Sequence, residues 1–418
     1  MEKIIIVGGN KLRGEVDISV AKNSVLPIIA ATILSPNKIT IKKIPLFKDV
    51  EVLIDLLRDI NCSINITEEK ELEINTDNIN ITHVKGELIR KMRASFLLMG
   101  PMLARFGFCK ISLPGGCNIG SRPIDLHLKG FETLGAKITN KNGYVEARAD
   151  KLIGNRIYLD FPSVGATENI VMAAVLAQGT TIIENAAQEP EVVDLINFLN
   201  SIGAHILIET AGKIVIEGVS KLKGGEYLPI CDRIEAGTFM IAAAITNSKI
   251  TVNGICASHL SPLIGKLRES GVIIDCLGDK IIVDGRGDKK AINIKTLPYP
   301  GFPTDMQPQM MSLLSVTKGS SIITETVFEN RFMHVQELIR MGANINIDGR
   351  STFIEGVDKL TGCQVKATDL RAGAAMILAG LIAEGQTEVT DIYHIDRGYV
   401  EIEKKLKNLG AEIYRIDN

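Results

Sequence analysis

Six times along this chain of 418 residues a helix-like pattern stops on a turn of small residues and restarts as a strand. The stops are Ile60-Asn61-Cys62, Leu134-Gly135-Ala136, Ile202-Gly203-Ala204, Ser270-Gly271-Val272, Met341-Gly342-Ala343 and Leu409-Gly410-Ala411, at intervals of 74, 68, 68, 71 and 68 residues. A fixed period means that one supersecondary unit is copied and that the copies bury their apolar faces together. A second marker, Lys-Leu-x-Gly at 11–14, 151–154, 221–224 and 359–362, keeps step with the first.

Each unit reads as helix, short turn, strand, loop, second helix, stop and two strands. In the third unit these fall at 168–178, 180–184, 191–202, 205–209 and 213–217. The last unit ends at 414–418, one strand short, and the N-terminus supplies a spare strand at 3–7. The chain is therefore expected to close on itself. The cut falls into residues 21–229 against 1–20 plus 230–418, two stretches of 209 residues with three units each. This is an α/β class with two similar domains and mixed sheets. No G-x-G-x-x-G joins a strand to a helix, so a dinucleotide fold is excluded. The nearest phosphate-loop pattern, Gly115 to Ser121, lacks the lysine such a loop needs.

Lys plus Arg (47) nearly balances Asp plus Glu (49), Trp is absent and aromatics make up 5%. Such a chain has neither the basic field nor the stacking platforms of a nucleic-acid binder, so any cationic site is local. Seven cysteines without a C-x-x-C pair fit neither a disulfide framework nor a zinc site. A reducing cytoplasmic setting follows, with no metal and no cofactor expected. The longest apolar run, 372–383, is 12 residues, short of the roughly 18 to 20 a membrane span needs. The residues at 1–11 carry no signal-peptide pattern.

In four of the six units a cation stands at or just before the start of the first helix: Lys22, Arg93, Arg233 and Arg371. The residues there do not read as helix caps. Helix N-termini carry partial positive charge, so cations there are unfavourable unless an anion lies between. Any one of the four alone reads as a solvated surface cation; four at equivalent positions point to a shared site. Loops of the second, fifth and sixth units add Arg122, Arg331 and Arg397. Repeat symmetry places these loops on one end of each domain, facing an interdomain cleft. Two like charges ~6 Å apart at an effective dielectric near 20 repel by roughly 3 kcal/mol, so the cluster calls for an anionic ligand. A phosphate or carboxylate suits the arginine fork.

The second unit's loop is the longest of the six, the excess lying between Leu113 and Pro123 around Cys117. Three glycines between two prolines make a lid-like loop, and Arg122 nearby would lower the Cys117 thiol pKa. Cys117 is either that reactive thiol or a bystander; Cys62, Cys109 and Cys276, in apolar strand patterns, read as bystanders. Asp305 in Phe302-Pro303-Thr304-Asp305 is either a first-turn carboxylate or a base beside the cations. His127, His334 and His394 show no metal spacing and read as structural. Glu189, Glu191, Asp232 and Asp369 are candidate sugar hydrogen-bonders or partners for the arginines.

Over almost its whole length the sequence resembles the UDP-N-acetylglucosamine 1-carboxyvinyltransferases, a branch of the enolpyruvyl transferases. The segments that carry the resemblance are AKNS at 21–24, KMRAS at 91–95, LPGGCNIGSRPIDLH at 113–127, SVGAT at 163–167, ENAAQEPEVVD at 184–194, FPTDMQ at 302–307, ETVFENRFMHV at 325–335, ATDLRAG at 367–373 and YHIDRGY at 393–399. The resemblance implies the inside-out α/β barrel of that family, two domains of three βαβαββ units each. It implies transfer of the enolpyruvyl group of phosphoenolpyruvate to the 3-hydroxyl of UDP-N-acetylglucosamine, with release of phosphate through a tetrahedral intermediate. That reaction is the first committed step of peptidoglycan synthesis.

By the same resemblance Lys22, Arg122 and Arg397 hold phosphoenolpyruvate, with Arg93, Arg331 and Arg371 completing the cationic site. Asp305 takes the hydroxyl proton and Cys117 assists proton transfer and product release; with Lys22 and Arg397 they form the catalytic set. Asn23, Arg93, Arg122, Pro123, Ile124, Asp125, Leu126, Ser163, Val164, Gly165, Asp305 and Val327 match positions that contact the UDP-sugar. The implied partners are these two substrates, with no nucleic acid, no membrane and a monomeric chain. Phe161 stands where many members of the family carry a lysine. The sister transferase acting on shikimate 3-phosphate, an RNA 3'-phosphate cyclase and a non-catalytic relative are the rival readings; the Cys117 loop and Glu329-Asn330-Arg331-Phe332-Met333-His334 favour the UDP-sugar enzyme.

Overall fold

A computed structural model describes residues 2–84, 92–113, 120, 123–210 and 212–416. Six four-stranded sheets are formed among them. In the third repeat, Arg156–Tyr158 runs parallel to Thr180–Glu184, which pairs antiparallel with Lys213–Glu217, itself antiparallel to His205–Thr210. The sheets are thus mixed, as the alternation of one crossover helix and one hairpin requires.

Each repeat contributes one inner helix: α1 (Lys22–Ala31), α2 (Met99–Phe106), α3 (Val164–Ala174), α4 (Arg233–Ile245), α5 (Gln307–Leu314) and α6 (Leu370–Gly380). All 13 residues of α4 and all eight of α5 are buried. A helix apolar around its whole circumference is stable only when surrounded by protein. Where α5 meets α6, the Ser312 hydroxyl donates to the Ala375 carbonyl at 2.9 Å. The second helix of each repeat is amphipathic and lies outside, as in Lys48–Asp59, where Val50, Leu53, Ile54, Leu56 and Leu57 are buried.

The stop signals have a physical origin. Gly135, Gly203, Gly271, Gly342 and Gly410 have φ between 97° and 105°, and Asn61 substitutes at φ 70°. These left-handed residues let the next amide turn back: Cys62, Ala136, Ala204, Val272, Ala343 and Ala411 each donate to the carbonyl five residues earlier, at 2.9–3.0 Å. That is the helix-ending Schellman arrangement, which glycine and asparagine tolerate at lowest cost.

The expected closure is present. Lys3–Val7 inserts between Gln386–Thr390 and Glu412–Ile416, antiparallel to both. Two compact units result, one made of Met1–Ser19 with Cys231–Asn418 and the other of most of Val20–Ile230. A further exchange was not apparent in the sequence. The strand after the turn at 221–224, Gly225–Tyr227, pairs in parallel with Ile39–Ile41 of the first repeat, and Arg13–Asp17 pairs with Lys249–Asn253 of the fourth. Each unit therefore closes its own ring of three repeats.

Ile6 is fully buried in the closing strand whereas Ile273 is 59% exposed on another. Ile6→Ala is expected to cost about 2–5 kcal/mol of unfolding free energy in denaturant titration, and Ile273→Ala less than about 0.5 kcal/mol.

Candidate functional site

The first turns of the inner helices carry the polar side chains that the helix bodies exclude. In the unit that contains both termini, Asp305 lies in the short 3-10 turn Thr304–Met306 that leads into α5. Its Oδ1 accepts from Arg331 Nη2 at 2.9 Å, and its Oδ2 from Arg371 Nε at 3.2 Å and Nη2 at 3.1 Å. Both arginine side chains are 3% exposed. Burial disfavours the Arg371 charge, but the Asp305 carboxylate outweighs it and the guanidinium is held more firmly protonated.

Arg331 Nε and Nη1 and Arg371 Nη1 are buried and make no hydrogen bond among the described residues, and neither does the amide of Gln307. Guanidinium donors without protein acceptors in a desolvated site suit an anionic ligand. Glu325, which sequence reasoning overlooked, shapes the neighbouring turn. Its Oε1 accepts from Thr296 Oγ1, Val327 N and Phe328 N, and its Oε2 from Thr304 Oγ1. That carboxylate fixes the backbone at Val327 and the residue before Asp305. Arg233, 7% exposed, has its guanidinium carbon 5.6 Å from the Tyr299 ring centre, and the Arg397 charge disfavours protonation of His394 after burial does.

In the other unit, Lys22 opens α1 and its Nζ lies 2.7 Å from Asp49 Oδ2, with side chains 10% and 5% exposed. Arg93 opens the 3-10 stretch Arg93–Leu98. The Asn169 carboxamide accepts from Gly100 N at 2.7 Å, so its nitrogen is the donor to Phe96 O at 2.9 Å and to His127 Nδ1 at 3.1 Å. The neutral imidazole therefore carries its proton on Nε2. Burial first and then the Arg93 charge push the His127 pKa down to about 3. A Cβ on Gly165 would stand 3.4 Å from His127 Cε1, so Gly165 in the first turn of α3 lies against the His127 ring, and Ser163 and Val164 precede it there. Ile124 precedes the helix Asp125–Thr133, which carries Asp125, Leu126 and His127. Asn23 and Pro123 are exposed. Burial, and then Glu191 and Glu189, push the Glu168 pKa well above the usual carboxylate range. Cys117 and Arg122 lie outside the described residues.

Three expectations need correction. The helix starts do contain caps: Ser163 Oγ accepts from Ala166 N, Asp232 from Ile234 N and Glu235 N, and Asp369 from Arg371 N and Ala372 N. The third repeat's inner helix consequently begins at Val164 rather than four residues later. Nor do Lys22, Arg331 and Arg371 wait for a ligand to balance them, because Asp49 and Asp305 supply carboxylates from the protein itself. Third, Cys276 is exposed, since its strand Ile273–Leu277 turns that side chain to solvent. Cys62 and Cys109 are buried, and burial pushes their pKa values up to about 12, which makes them inert thiols.

A sequence profile for EPSP synthase (3-phosphoshikimate 1-carboxyvinyltransferase) matches residues 6–406. The chain belongs to the EPSP synthase family. Within that family it is 62% identical over 418 residues to UDP-N-acetylglucosamine 1-carboxyvinyltransferase 1 of Clostridium acetobutylicum, covering all of both chains. It is 63% identical over 417 residues to UDP-N-acetylglucosamine 1-carboxyvinyltransferase 2 of Clostridium tetani, again covering both fully. Among solved structures, the enolpyruvyl transferase NikO from Streptomyces tendae shares the fold with a TM-score of 0.90 at 23% identity, covering 99% of this chain and 98% of that one. EPSP synthase from Acinetobacter baumannii matches with a TM-score of 0.76 at 17% identity over the whole of both chains. No group of three or more His, Cys, Asp or Glu able to hold a metal ion occurs among the described residues, and none of their helices is long and apolar enough to cross a membrane.

His334 is also fully buried, and burial first, with opposing effects of Asp369 and Arg331, brings its pKa down to about 4. Below about pH 6.5 the unfolded chain binds protons at His127 and His334 that the folded chain refuses. Stability is thus expected to fall as pH drops from 6.5 towards 4, by up to about 1.4 kcal/mol per pH unit for each group. Denaturant titration of His127→Gln checks this, since that variant should show a shallower decline.

Proposed function

We propose that this protein is a UDP-N-acetylglucosamine 1-carboxyvinyltransferase. It moves the enolpyruvyl group of phosphoenolpyruvate to the sugar 3-hydroxyl and releases inorganic phosphate, in the first committed step of peptidoglycan synthesis. The observation that carries the reading is the partly exposed Asp305 carboxylate clasped by the buried Arg331 and Arg371, whose remaining nitrogens have no acceptor among the described residues. Full-length relatives of that name at 62% and 63% identity support the acceptor.

In the addition step the 3-hydroxyl oxygen bonds to C2 of phosphoenolpyruvate, its proton passes to Asp305, and a proton is delivered to C3. In the elimination step the C2–O bond to phosphate breaks and a C3 proton leaves, which restores the double bond. Lys22, Arg93, Arg122, Arg331, Arg371 and Arg397 hold the phosphate and carboxylate of the donor. The donor's anionic groups meet the Arg331 and Arg371 nitrogens that Asp305 leaves open, and Asp305 stands beside them as the base. Asn23, Pro123, Ile124, Asp125, Leu126, Ser163, Val164, Gly165 and Val327 contact the UDP-sugar, and Cys117 assists proton transfer and product release. We place the enzyme in the cytoplasm as a monomer.

Phosphate release from phosphoenolpyruvate should occur with UDP-N-acetylglucosamine and not with shikimate 3-phosphate; the reverse selectivity, or no turnover, refutes the assignment. Asp305→Asn is expected to lower kcat by about 10²–10⁴-fold, in the range for loss of a general base. An epoxide phosphonate should alkylate Cys117 alone, which intact and peptide mass spectrometry would reveal.

A further inference from the structure

Arg371 is a buried cation with acceptors on more than one side, and Asp305 is only one of them. The Arg371 guanidinium carbon lies 5.6 Å from the centre of the Tyr399 ring, and Tyr399 is 2% exposed. The Tyr399 hydroxyl is 2.8 Å from Thr238 Oγ1. Thr238 has a single hydroxyl proton, and at 2.8 Å that proton goes to the Ile234 carbonyl within α4. The Tyr399 hydroxyl must then be the donor to Thr238. Its oxygen lone pairs are left for the Gln309 amide nitrogen, 3.5 Å away, and for the field of the Arg371 cation beside the ring.

The four side chains come from all three repeats of their unit: Thr238 from α4, Gln309 from α5, Arg371 from α6 and Tyr399 from the segment before Ile402–Asn408. The charged groups that bear on the pair are Asp305 and Asp232, both of which favour the Arg371 cation. Burial, the largest influence, outweighs the opposing Arg371 charge and, with Asp232, raises the Tyr399 pKa, so it acts as a neutral phenol. A neutral hydroxyl whose proton is committed elsewhere presents only its negative end to the guanidinium.

We propose that Tyr399 is a positioning residue: with its proton locked on Thr238, its oxygen and ring hold Arg371 at the angle that clasps Asp305 and presents the free Nη1 to the donor substrate. This rests on the proposed function for its kinetic consequence but not for its structural one. Gln309 steadies the hydroxyl pair, its Nε2 lying 3.4 Å from Thr238 Oγ1. The same arrangement explains why a tyrosine rather than a phenylalanine fits a position with no solvent to satisfy a hydroxyl.

The test compares Tyr399→Phe, Thr238→Val and Thr238→Ser in the full-length protein. The first two remove the hydroxyl and its acceptor respectively; the third keeps the acceptor. For Tyr399→Phe and Thr238→Val we expect kcat to fall and KM for phosphoenolpyruvate to rise, together lowering kcat/KM about tenfold or more, as for a hydrogen bond to a charged group. KM for the UDP-sugar should stay within about twofold in both, and Thr238→Ser should behave as wild type.

The Arg371 Nε–H signal in nitrogen-15 spectra, assigned by its loss in Arg371→Lys, should broaden or exchange faster in Tyr399→Phe and Thr238→Val. A lower melting temperature with unchanged kcat, unchanged KM and an unchanged Arg371 signal would overturn the proposal, because the hydroxyl pair would then be structural only. If wild type releases no phosphate but the Arg371 signal still responds to both substitutions, the positioning stands and the proposed reaction falls.

Discussion

The inner helices are buried all round, and the rest of the molecule follows from that. Every side of α4 and α5 faces protein, so their bodies accept apolar and small side chains and little else. Polar chemistry is pushed to the helix ends, where backbone N–H groups lack partners and the dipole is positive. Asp232 and Asp369 meet that need as caps, and Arg233 and Arg371 follow them within the same turn. A repeat that places its inner helix at one layer thereby places its functional side chains at one layer too.

The Asp305 clasp is the strongest consequence. Two guanidiniums at 3% exposure keep their charge, and without a carboxylate beside them that burial would be costly. Removing one partner of a buried pair leaves an uncompensated charge and costs about 3–5 kcal/mol. The clasp is therefore stable without ligand, yet it leaves three guanidinium nitrogens without an acceptor among the described residues. Lys22 and Asp49 repeat the device in the other unit. A site built this way is held in shape before the substrate arrives, which limits the reorganisation that binding must drive.

Much of this was legible in the sequence because it is written in local rules. The six stops are left-handed helix ends, which only glycine and asparagine satisfy cheaply, so they recur as visible letters. The strand at 3–7 announced the ring closure because the last repeat lacked a partner for it. The exchange of edge strands between the first and fourth repeats left no such mark, since the short Gly225–Tyr227 carries no pattern that chooses Ile39–Ile41 over Lys249–Asn253 as its partner. The caps were misread because Ser163 precedes a helix whose first turn, Val-Gly-Ala-Thr, has little helical propensity. The pairs Lys22–Asp49 and Arg331–Asp305 join residues 27 and 26 positions apart, a distance over which no local pattern connects charges. Motif resemblance named Asp305 and the arginines but not Glu325, whose role as a turn organiser appears only once its four hydrogen-bond donors are seen together.

The central claim is that substrates act at the N-terminal turns of the inner helices. Amide hydrogen exchange followed by mass spectrometry, with and without UDP-N-acetylglucosamine plus phosphoenolpyruvate, reads this most directly. The account predicts that added protection concentrates in peptides spanning the starts of α1, α3 and α6 and the turn Thr304–Met306. Protection confined to the ends of the second helices around Gly135, Gly203 and Gly342, or no protection at all, would contradict it.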